Sequence, residues 1–440
     1  MFEKIRKKLK SKKVKIGIFG LGYVGLPLAL RFAEKNFKVY GFDNDKKKIL
    51  KLKKGISYIR QIPDSVLKKL VGKKLIVNSN FSKVSNIDVL IFCLPTPVRK
   101  NKSPNLSFLK NCLNKIEKNI KKGQIFCHES TSYPGTTEKY FETIFNKRKL
   151  VIGEDCYLIF SPEREDPGNN LFKIKNITKV VSGKTDKCLT LGAILYKSVV
   201  NKVFKVKDIK TAEMTKLVEN IFRSVNIGLI NEMKIICDKM GIDIWDVVEA
   251  AKSKPFGFYP FSPGPGVGGH CIPIDPFILT WEAKKYDANT EFIRLAAKIN
   301  EYMPSYVVKK TYKSLSALSK NKKLKKNYKI LLVGVAYKPN VDDYREAPAL
   351  EIINILTQKY KYQVSYCDPL VPILHTKKLI HKNKYKTIKL NYKLFKNFDA
   401  VIIVTNHDLF DYKKIITHSN LIIDTRGVYK RIKSKKIINA

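Results

Sequence analysis

The sequence predicts an α/β protein in which two doubly wound, parallel-stranded domains are joined by a central helical domain. Three observations lead there. A strand, glycine turn, helix and strand open the chain at 14–43, the pattern turns helical from Ile209, and alternating strands and helices restart at Lys329. At 440 residues the chain has length for two or three domains with ample core.

The first strand is the apolar run at 14–19, and Gly20-Leu21-Gly22-Tyr23-Val24-Gly25 follows at once. A helical run covers 26–35, and a second strand at 38–42 ends in Asp43, 23 residues past the first glycine. The glycine triplet alone is weak; with a strand before it, a helix after it and an acid at that distance it is a dinucleotide fingerprint. Gly20 makes the tight turn and Gly22 lets backbone amides reach a pyrophosphate. Gly25 lets the helix pack on the strand, with the helix N-terminus facing the anion. Asp43 would hold the ribose hydroxyls and repel a 2′-phosphate, which favours NAD over NADP.

Strand-like runs continue at 75–77, 89–93, 124–127 and 157–160, and a last pair at 179–183 and 203–204 closes the unit. Ligands of an open parallel sheet sit beyond the carboxyl ends of its strands. The turns at 94–97, 129–137 and 161–164 are therefore expected to face cofactor and substrate; the alternative is ordinary loop termination.

A long helix runs from Ile209 to about Met240, with Glu213, Lys216 and Asn220 on one face at i, i+3 and i+7. On spacing alone that stripe reads as a solvated face, with a site as the alternative. A second helix covers 244–252, and an aromatic, proline-rich loop at 255–263 leads into Gly264-Pro265-Gly266-Val267-Gly268-Gly269-His270-Cys271-Ile272-Pro273-Ile274-Asp275. Its glycines allow positive φ and close approach to a ligand. If Cys271 opens a helix, the N-terminal field lowers its thiol pKa, and Asp275 sits one turn on, where it can hold a water. The competing reading is a glycine loop followed by a small buried cysteine.

A helix at 290–319 leads to a linker at 321–327. Strands at 329–334, 363–367, 401–405 and 421–424, with a helix at 347–358, rebuild the doubly wound plan without the glycine fingerprint. That points to a second nucleotide-like ligand. The expected organisation is a basic N-terminal extension at 1–13, a dinucleotide-binding domain at 14–205, a central helical domain at 206–320 and a second ligand-binding domain at 321–440.

The formal net charge of +47 suggests a nucleic-acid surface, yet only 11 of the 85 basic residues are Arg and the Lys are spread evenly. Abundant Lys, Ile and Asn together read as coding bias, whereas a nucleic-acid binder concentrates its charge on one motif. No apolar run is long enough to cross a bilayer and no signal peptide is legible, so a cytoplasmic protein without membrane insertion is expected. The eight cysteines form no C-x-x-C pair and the six histidines no ligand pattern, so no metal or disulfide framework is implied.

Six stretches carry a resemblance: GLGYVGLPLA from Gly20, ESTSYPGTTE from Glu129, SPEREDPGN from Ser161, AEMTKLVENIFRSVNI from Ala212, KPFGFYPFSPGPGVGGHCIPIDP from Lys254 and GVAYKPNVDDYREAPALEI from Gly334. In this order, over 14–427, the chain resembles the UDP-glucose/GDP-mannose dehydrogenase family, most nearly the branch acting on UDP-N-acetylglucosamine. The resemblance implies two Rossmann-like domains around the central helical one, and four-electron oxidation of a sugar CH2OH to a carboxylate with two NAD and a covalent cysteine adduct.

By motif, it makes Cys271 the nucleophile, passing through a thiohemiacetal and a thioester. Lys216 would stabilise the oxyanion, Asp275 and Glu163 would position and activate water with Thr131 contacting it, and Asn220 would support the substrate end. Gly20, Gly22, Tyr23, Val24, Gly25 and Asp43 would hold NAD, with Lys48 near the adenosine, Pro95, Thr96 and Thr131 along the nicotinamide half, and Arg345 reaching the cofactor. Glu163, Arg164, Lys216, Asn220, Phe261, Gly268, Lys338 and Arg426 would contact the UDP-sugar. The resemblance also implies a homodimer or higher homo-oligomer through the central helices and a product suited to polysaccharide or lipopolysaccharide synthesis; the even spread of Lys argues for no specific nucleic-acid partner. UDP-N-acetylmannosamine, UDP-N-acetylgalactosamine and UDP-glucose stand as rival substrates.

Overall fold

The computed structural model describes residues 1–99, 101–166, 174–318, 327–375, 378–379 and 385–440. The end of the 161–169 motif and most of the 321–327 linker lie outside them. The described chain divides into two compact units, Met1–Glu219 with Phe277–Tyr286, and Asn220–Pro276 with Asp287–Ala440.

The first unit opens with α1 (Phe2–Lys10), which buries Ile5 and Leu9 and pairs Lys8 Nζ with Asp88 Oδ1 at 2.6 Å. The basic N-terminal run is thus a packed amphipathic helix. Then come β1 (Lys15–Phe19), α2 (Gly25–Glu34), β2 (Lys38–Phe42), α3 (Lys46–Lys53), α4 (Asp64–Leu70), β3 (Leu75–Asn78), β4 (Val89–Phe92), α5 (Ser107–Ile116), β5 (Gln124–His128), α6 (Thr136–Lys147), β6 (Cys156–Phe160), β7 (Lys179–Gly183), α7 (Asp186–Lys197) and β8 (Val203–Lys205). The sheet order is β3-β2-β1-β4-β5-β6-β7-β8. Its first six strands are parallel in the order 3-2-1-4-5-6 of the doubly wound dinucleotide fold. Strands covered on both faces read as unbroken apolar runs, as in β4, Val-Leu-Ile-Phe, which is buried throughout.

Two strands depart from the expected all-parallel sheet, since β7 runs antiparallel to β6 and β8 runs parallel to β7. A parallel return needs a crossover, usually a helix. No helix occurs among the described residues between β6 and β7, so β7 starts at the edge where β6 ends.

Two apolar cores flank the sheet. One gathers Ile16, Ile18, Phe32, Val39, Leu191 and the buried side of α1. The other gathers Phe19, Phe42, Phe92, Phe126, Phe141 and Phe145, with Phe19 stacked between Phe42 and Phe92 at 4.9 Å from each. Such pairs add about 0.5–1.5 kcal/mol beyond their burial.

The long helix α8 (Ile209–Met240) belongs to both units by its two ends. In the second unit it is followed by α9 (Ile244–Lys252), α10 (Asp275–Ala283), which itself ends in the first unit, and α11 (Glu291–Leu318). α8 and α11 approach closely at Gly228, where an added Cβ would lie 3.1 Å from Ala296 Cβ. The C-terminal part then builds β9 (Lys329–Val333), α12 (Pro348–Gln358), β10 (Gln363–Cys367), the short pair β11 (Ile373–Leu374) and β12 (Tyr385–Lys386), β13 (Ala400–Ile403), α13 (Tyr412–His418), β14 (Ile422–Asp424) and β15 (Ile437–Asn439). Its main sheet has the order β10-β9-β13-β14-β15 and is parallel throughout. Val307, Val308 and Leu315 of α11 share a core with Ile330, Leu332 and Ile353. No helix among the described residues is long and apolar enough to cross a membrane.

Candidate active site

The glycine fingerprint folds as its chemistry requires. Gly20 has φ +90°, and a Cβ there would lie 2.4 Å from Cys93 O. At Gly25 a Cβ would lie 1.9 Å from Gly20 O, so only hydrogen fits where α2 begins. At Gly22 a Cβ would meet nothing within 4 Å. That glycine faces open space, the room a pyrophosphate needs to approach backbone amides. Tyr23 and Val24 complete the turn, with Val24 as the N-cap of α2.

Asp43 follows β2, accepting the Leu21 N–H on Oδ2 at 2.9 Å and the Asp45 N–H on Oδ1 at 2.9 Å. Lys48 Nζ lies 3.8 Å from Asp43 and over the ring of Tyr58, whose hydroxyl donates to Leu21 O. Pro95 is exposed and Thr96 buried after β4, beside Leu94, whose N–H donates to Ser130 Oγ at 2.8 Å. Thr131, half-buried, begins the turn after Ser130. These residues fit NAD: an open glycine, a helix N-terminus and a carboxylate at the end of β2.

A buried ionic cluster lies at the carboxyl edge of the same sheet. Glu129 follows β5, Glu163 follows β6, and Lys179 begins β7. Lys179 Nζ lies 2.8 Å from Glu129 Oε2 and 3.2 Å from Glu163 Oε2, while Tyr196 of α7 donates to Glu129 Oε1 at 2.5 Å. Burial pushes the Glu163 carboxyl up, but Lys179, the Glu165 N–H and Lys216 outweigh it and hold the group below its ordinary value. Burial, with Glu163 next, pushes Glu165 up to about 8. Arg164 pairs with Glu219 at 2.6 Å and donates to Thr178 O at 2.8 Å. Sequence reasoning named Glu163 and missed Glu129, Lys179 and Tyr196 as its company. The available signal was Lys179 itself, a charge opening the strand Lys-Val-Val-Ser-Gly, which is buried along its whole length.

The stripe on α8 is a correction to the solvated-face reading, because Glu213, Lys216 and Asn220 are all buried. Spacing puts residues on one face and does not say what covers it. Glu213 caps α6, accepting N–H bonds from Gly135 and Thr137 and hydroxyl bonds from Thr137 and Ser132. The Asn220 amide donates to Asp275 Oδ2 at 2.5 Å.

Cys271 does not open a helix, which corrects a second expectation: α10 begins at Asp275. Cys271 instead stands at the head of the preceding turn, its carbonyl accepting the N–H groups of Ile274 at 3.0 Å and Asp275 at 2.9 Å. It is exposed, whereas the other seven cysteines are buried or half-buried. The glycines before it pack on neighbours too close for side chains. Gly269 donates its N–H to Arg345 O at 2.9 Å, and a Cβ at Gly268 would lie 2.8 Å from Tyr337 Cβ. Gly264 donates its N–H to Asn231, which with Asn300 ties the loop to α8 and α11. Pro304 supplies no N–H to the Asn300 carbonyl, and Gly266 packs against that oxygen.

Phe261 packs against Phe222 and Tyr259. Lys338 is half-buried in the turn after β9, and Arg345 forms a two-toothed pair with Asp343, donating from Nε to Oδ1 at 3.0 Å and from Nη2 to Oδ2 at 2.6 Å. Arg426 donates from Nε to Val404 O at 2.7 Å, and its backbone N–H bonds Asp424, which fixes it at the carboxyl ends of β13 and β14.

The UDP-glucose/GDP-mannose dehydrogenase family models match in chain order: the NAD binding domain over residues 14–200, the central domain over 210–302 and the UDP binding domain over 331–431. The chain is 37% identical to the UDP-N-acetyl-D-glucosamine 6-dehydrogenase of Pseudomonas aeruginosa, covering 82% of this chain and 84% of that one. It is 32% identical to the UDP-N-acetyl-D-mannosamine dehydrogenase of Pyrococcus horikoshii, covering 95% and 96%. The solved structure of a UDP-D-ManNAc dehydrogenase from Pyrococcus horikoshii superposes with a TM-score of 0.85 at 32% identity, covering 96% of each chain. Fold and fingerprint define an NAD-binding nucleotide-sugar dehydrogenase. The chain belongs to the UDP-glucose/GDP-mannose dehydrogenase family.

Proposed function

We propose that this enzyme oxidises the C6 hydroxymethyl of UDP-N-acetylglucosamine to the carboxylate, through a covalent adduct on Cys271. The observation that carries the reading is Cys271 itself, the exposed thiol at the head of a turn, held by a glycine loop that packs on Tyr337 and Arg345. Gly20, Gly22, Tyr23, Val24, Gly25, Asp43 and Lys48 would hold NAD, with Pro95, Thr96, Thr131 and Arg345 along it, and NAD bound there would supply the hydride acceptor for each of two oxidations. The first oxidation leaves a C6 aldehyde. The Cys271 thiolate adds to it as a thiohemiacetal, loss of the second hydride gives a thioester, and water releases the acid and the thiol. In sum, one alcohol, two NAD and one water become one carboxylate, two NADH and three protons.

Lys216 holds the developing oxyanion. Glu163 and Asp275 position and activate the water, Thr131 contacts it, and Asn220 fixes Asp275 and supports the substrate end. Arg164, Phe261, Gly268, Lys338 and Arg426 contact the UDP-sugar. Burial lowers Arg426 to about 10, as suits a desolvated cation that an anionic ligand would favour. The unit pairs with a second copy through α8, whose exposed Phe222, Leu229, Met233, Ile236 and Met240 form an apolar stripe. A cytoplasmic step supplying a uronic acid for polysaccharide synthesis fits this product.

UDP-N-acetylglucosamine as substrate rests on the relative at 37% identity so named. UDP-N-acetylmannosamine is the second reading, favoured by near full-length similarity to dehydrogenases named for that sugar. The test is NADH formed per UDP-sugar consumed, across both sugars, for the wild type and Cys271→Ser. Two NADH in the wild type with a stalled second oxidation in the variant is expected; one NADH in both would remove Cys271 from the chemistry.

A further inference from the structure

We infer that Lys179 is a positioning residue for the oxidation, acting through Glu163 by holding its carboxylate ionised and aimed. The inference rests on the reading of Glu163 as the group that activates water. It starts from the direction of β7. Ile159 pairs with Gly183 and Phe160 with Ser182 in antiparallel register. Continuing that register past the end of β6 brings Lys179 opposite Glu163. A parallel β7 would carry its first residue to the far edge of the sheet. The reversal instead delivers an ammonium to the edge where β5 and β6 end in Glu129 and Glu163.

The lone pairs of Glu163 are nearly all committed. Oε1 accepts the N–H groups of Arg164 at 2.7 Å and Glu165 at 2.6 Å, and Oε2 accepts from Lys179 at 3.2 Å. A carboxylate has about four acceptor sites. The remaining one is on Oε2, the atom that Lys179 grips, so Lys179 sets the direction in which Glu163 can take a water. Glu129, fixed by Tyr196 on its other oxygen, anchors Lys179 from behind. The charged and titratable groups facing this cluster are Glu129, Glu163, Glu165, Lys179, Lys216, Tyr196, Cys93 and Cys127. Of these, Lys179 and Lys216 are the cations that favour the ionised Glu163, and Lys179 has the larger effect.

The test is kcat and KM against pH for wild type, Glu163→Gln, Lys179→Met, Lys179→Arg and the double variant Lys179→Met/Glu129→Gln, with thermal unfolding of each. In the wild type the acid fall of kcat is expected below the ordinary carboxylate range. In Lys179→Met it is expected to rise by about one pH unit or more, with kcat at neutral pH reduced about tenfold or more, KM for the UDP-sugar little changed, and partial recovery in alkali. Lys179→Arg keeps the charge and the low acid limb. If Lys179→Met does not fold, the double variant removes one buried charge of each sign and carries the same expectation. An unshifted limb with wild-type kcat, or Lys179→Arg impaired as deeply as Lys179→Met, overturns the inference. An active Glu163→Gln would instead overturn the role of Glu163 on which it rests.

Discussion

The Asn220 amide nitrogen lies 2.5 Å from Asp275 Oδ2, and both side chains are buried. Asp275 is the first residue of α10, where a carboxylate faces the positive end of the helix. Removing the Asn220 donor leaves a buried carboxylate short of one partner, which costs about 1–3 kcal/mol. Asn220→Ala should therefore lower the unfolding free energy by that amount in urea titration. Asn220→Gln, which can still donate, should lose less. Equal losses in the two variants would mean packing, not the hydrogen bond, sets the cost.

The three fingerprint glycines should separate folding from cofactor binding. A Cβ at Gly22 meets nothing within 4 Å, so Gly22→Ala should change stability by about 0.5 kcal/mol or less. It would still fill the space reserved for the pyrophosphate, and NAD affinity should fall about tenfold or more. Gly25→Ala drives a Cβ to 1.9 Å from Gly20 O and should cost about 2–4 kcal/mol as well as NAD binding. Thermal melts beside NAD titration give both readouts. A Gly22→Ala protein with wild-type NAD affinity would contradict the placement.

How far the sequence told this story depends on what each residue pattern encodes. The fingerprint was legible because strand, glycines, helix and Asp43 agree on one turn. The helix at 244–252 and the strand at 363–367 were read with the bounds the structure has. The direction of β7 was not legible, because an apolar run has a period and no polarity. α1 was hidden by its lysines, with only Ile5 and Leu9 to mark an inner face. The burial of Glu213, Lys216 and Asn220 and the pairing of Lys179 with two glutamates depend on partners distant in sequence, which spacing cannot supply.

Acid should act on the C-terminal sheet through Asp368. Its carboxylate accepts N–H bonds from Val335, Ala336, Leu370 and Val371 and lies 3.1 Å from His407 Nε2. His407 Nδ1 accepts the Asn340 N–H, so the ring proton sits on Nε2 and points at Asp368. Burial pushes the Asp368 carboxyl up, but His407 and the backbone donors outweigh it and hold the group below its ordinary value. A depressed folded-state pKa gives stability that is full above the unfolded carboxylate value and lost as pH falls toward the folded one. Asp368→Asn should therefore unfold with about 2–4 kcal/mol less free energy at pH 7. The gap should narrow as the wild type is acidified below about pH 4. A gap constant with pH would exclude the carboxylate charge as its source.

Cys271 should be the thiol that reagents find. Burial pushes Cys112, Cys156 and Cys367 up to about 12, and holds Cys93 and Cys127 well above the ordinary thiol value. A thiol with a pKa near 12 is ionised to roughly one part in 10⁴–10⁵ at pH 7.5, and the thiolate is the reactive form. Cys188 and Cys237 are shielded by burial itself. Brief treatment of the native enzyme with a small maleimide should add one label per chain, located on Cys271 by peptide mass spectrometry, and abolish sugar oxidation. Cys271→Ser should take up no label on that timescale and keep its fold. Labelling spread evenly over several cysteines would show that the thiols of the sheet are reached by opening of the fold. A singly labelled, fully active enzyme would separate the exposure of Cys271 from any part in the reaction.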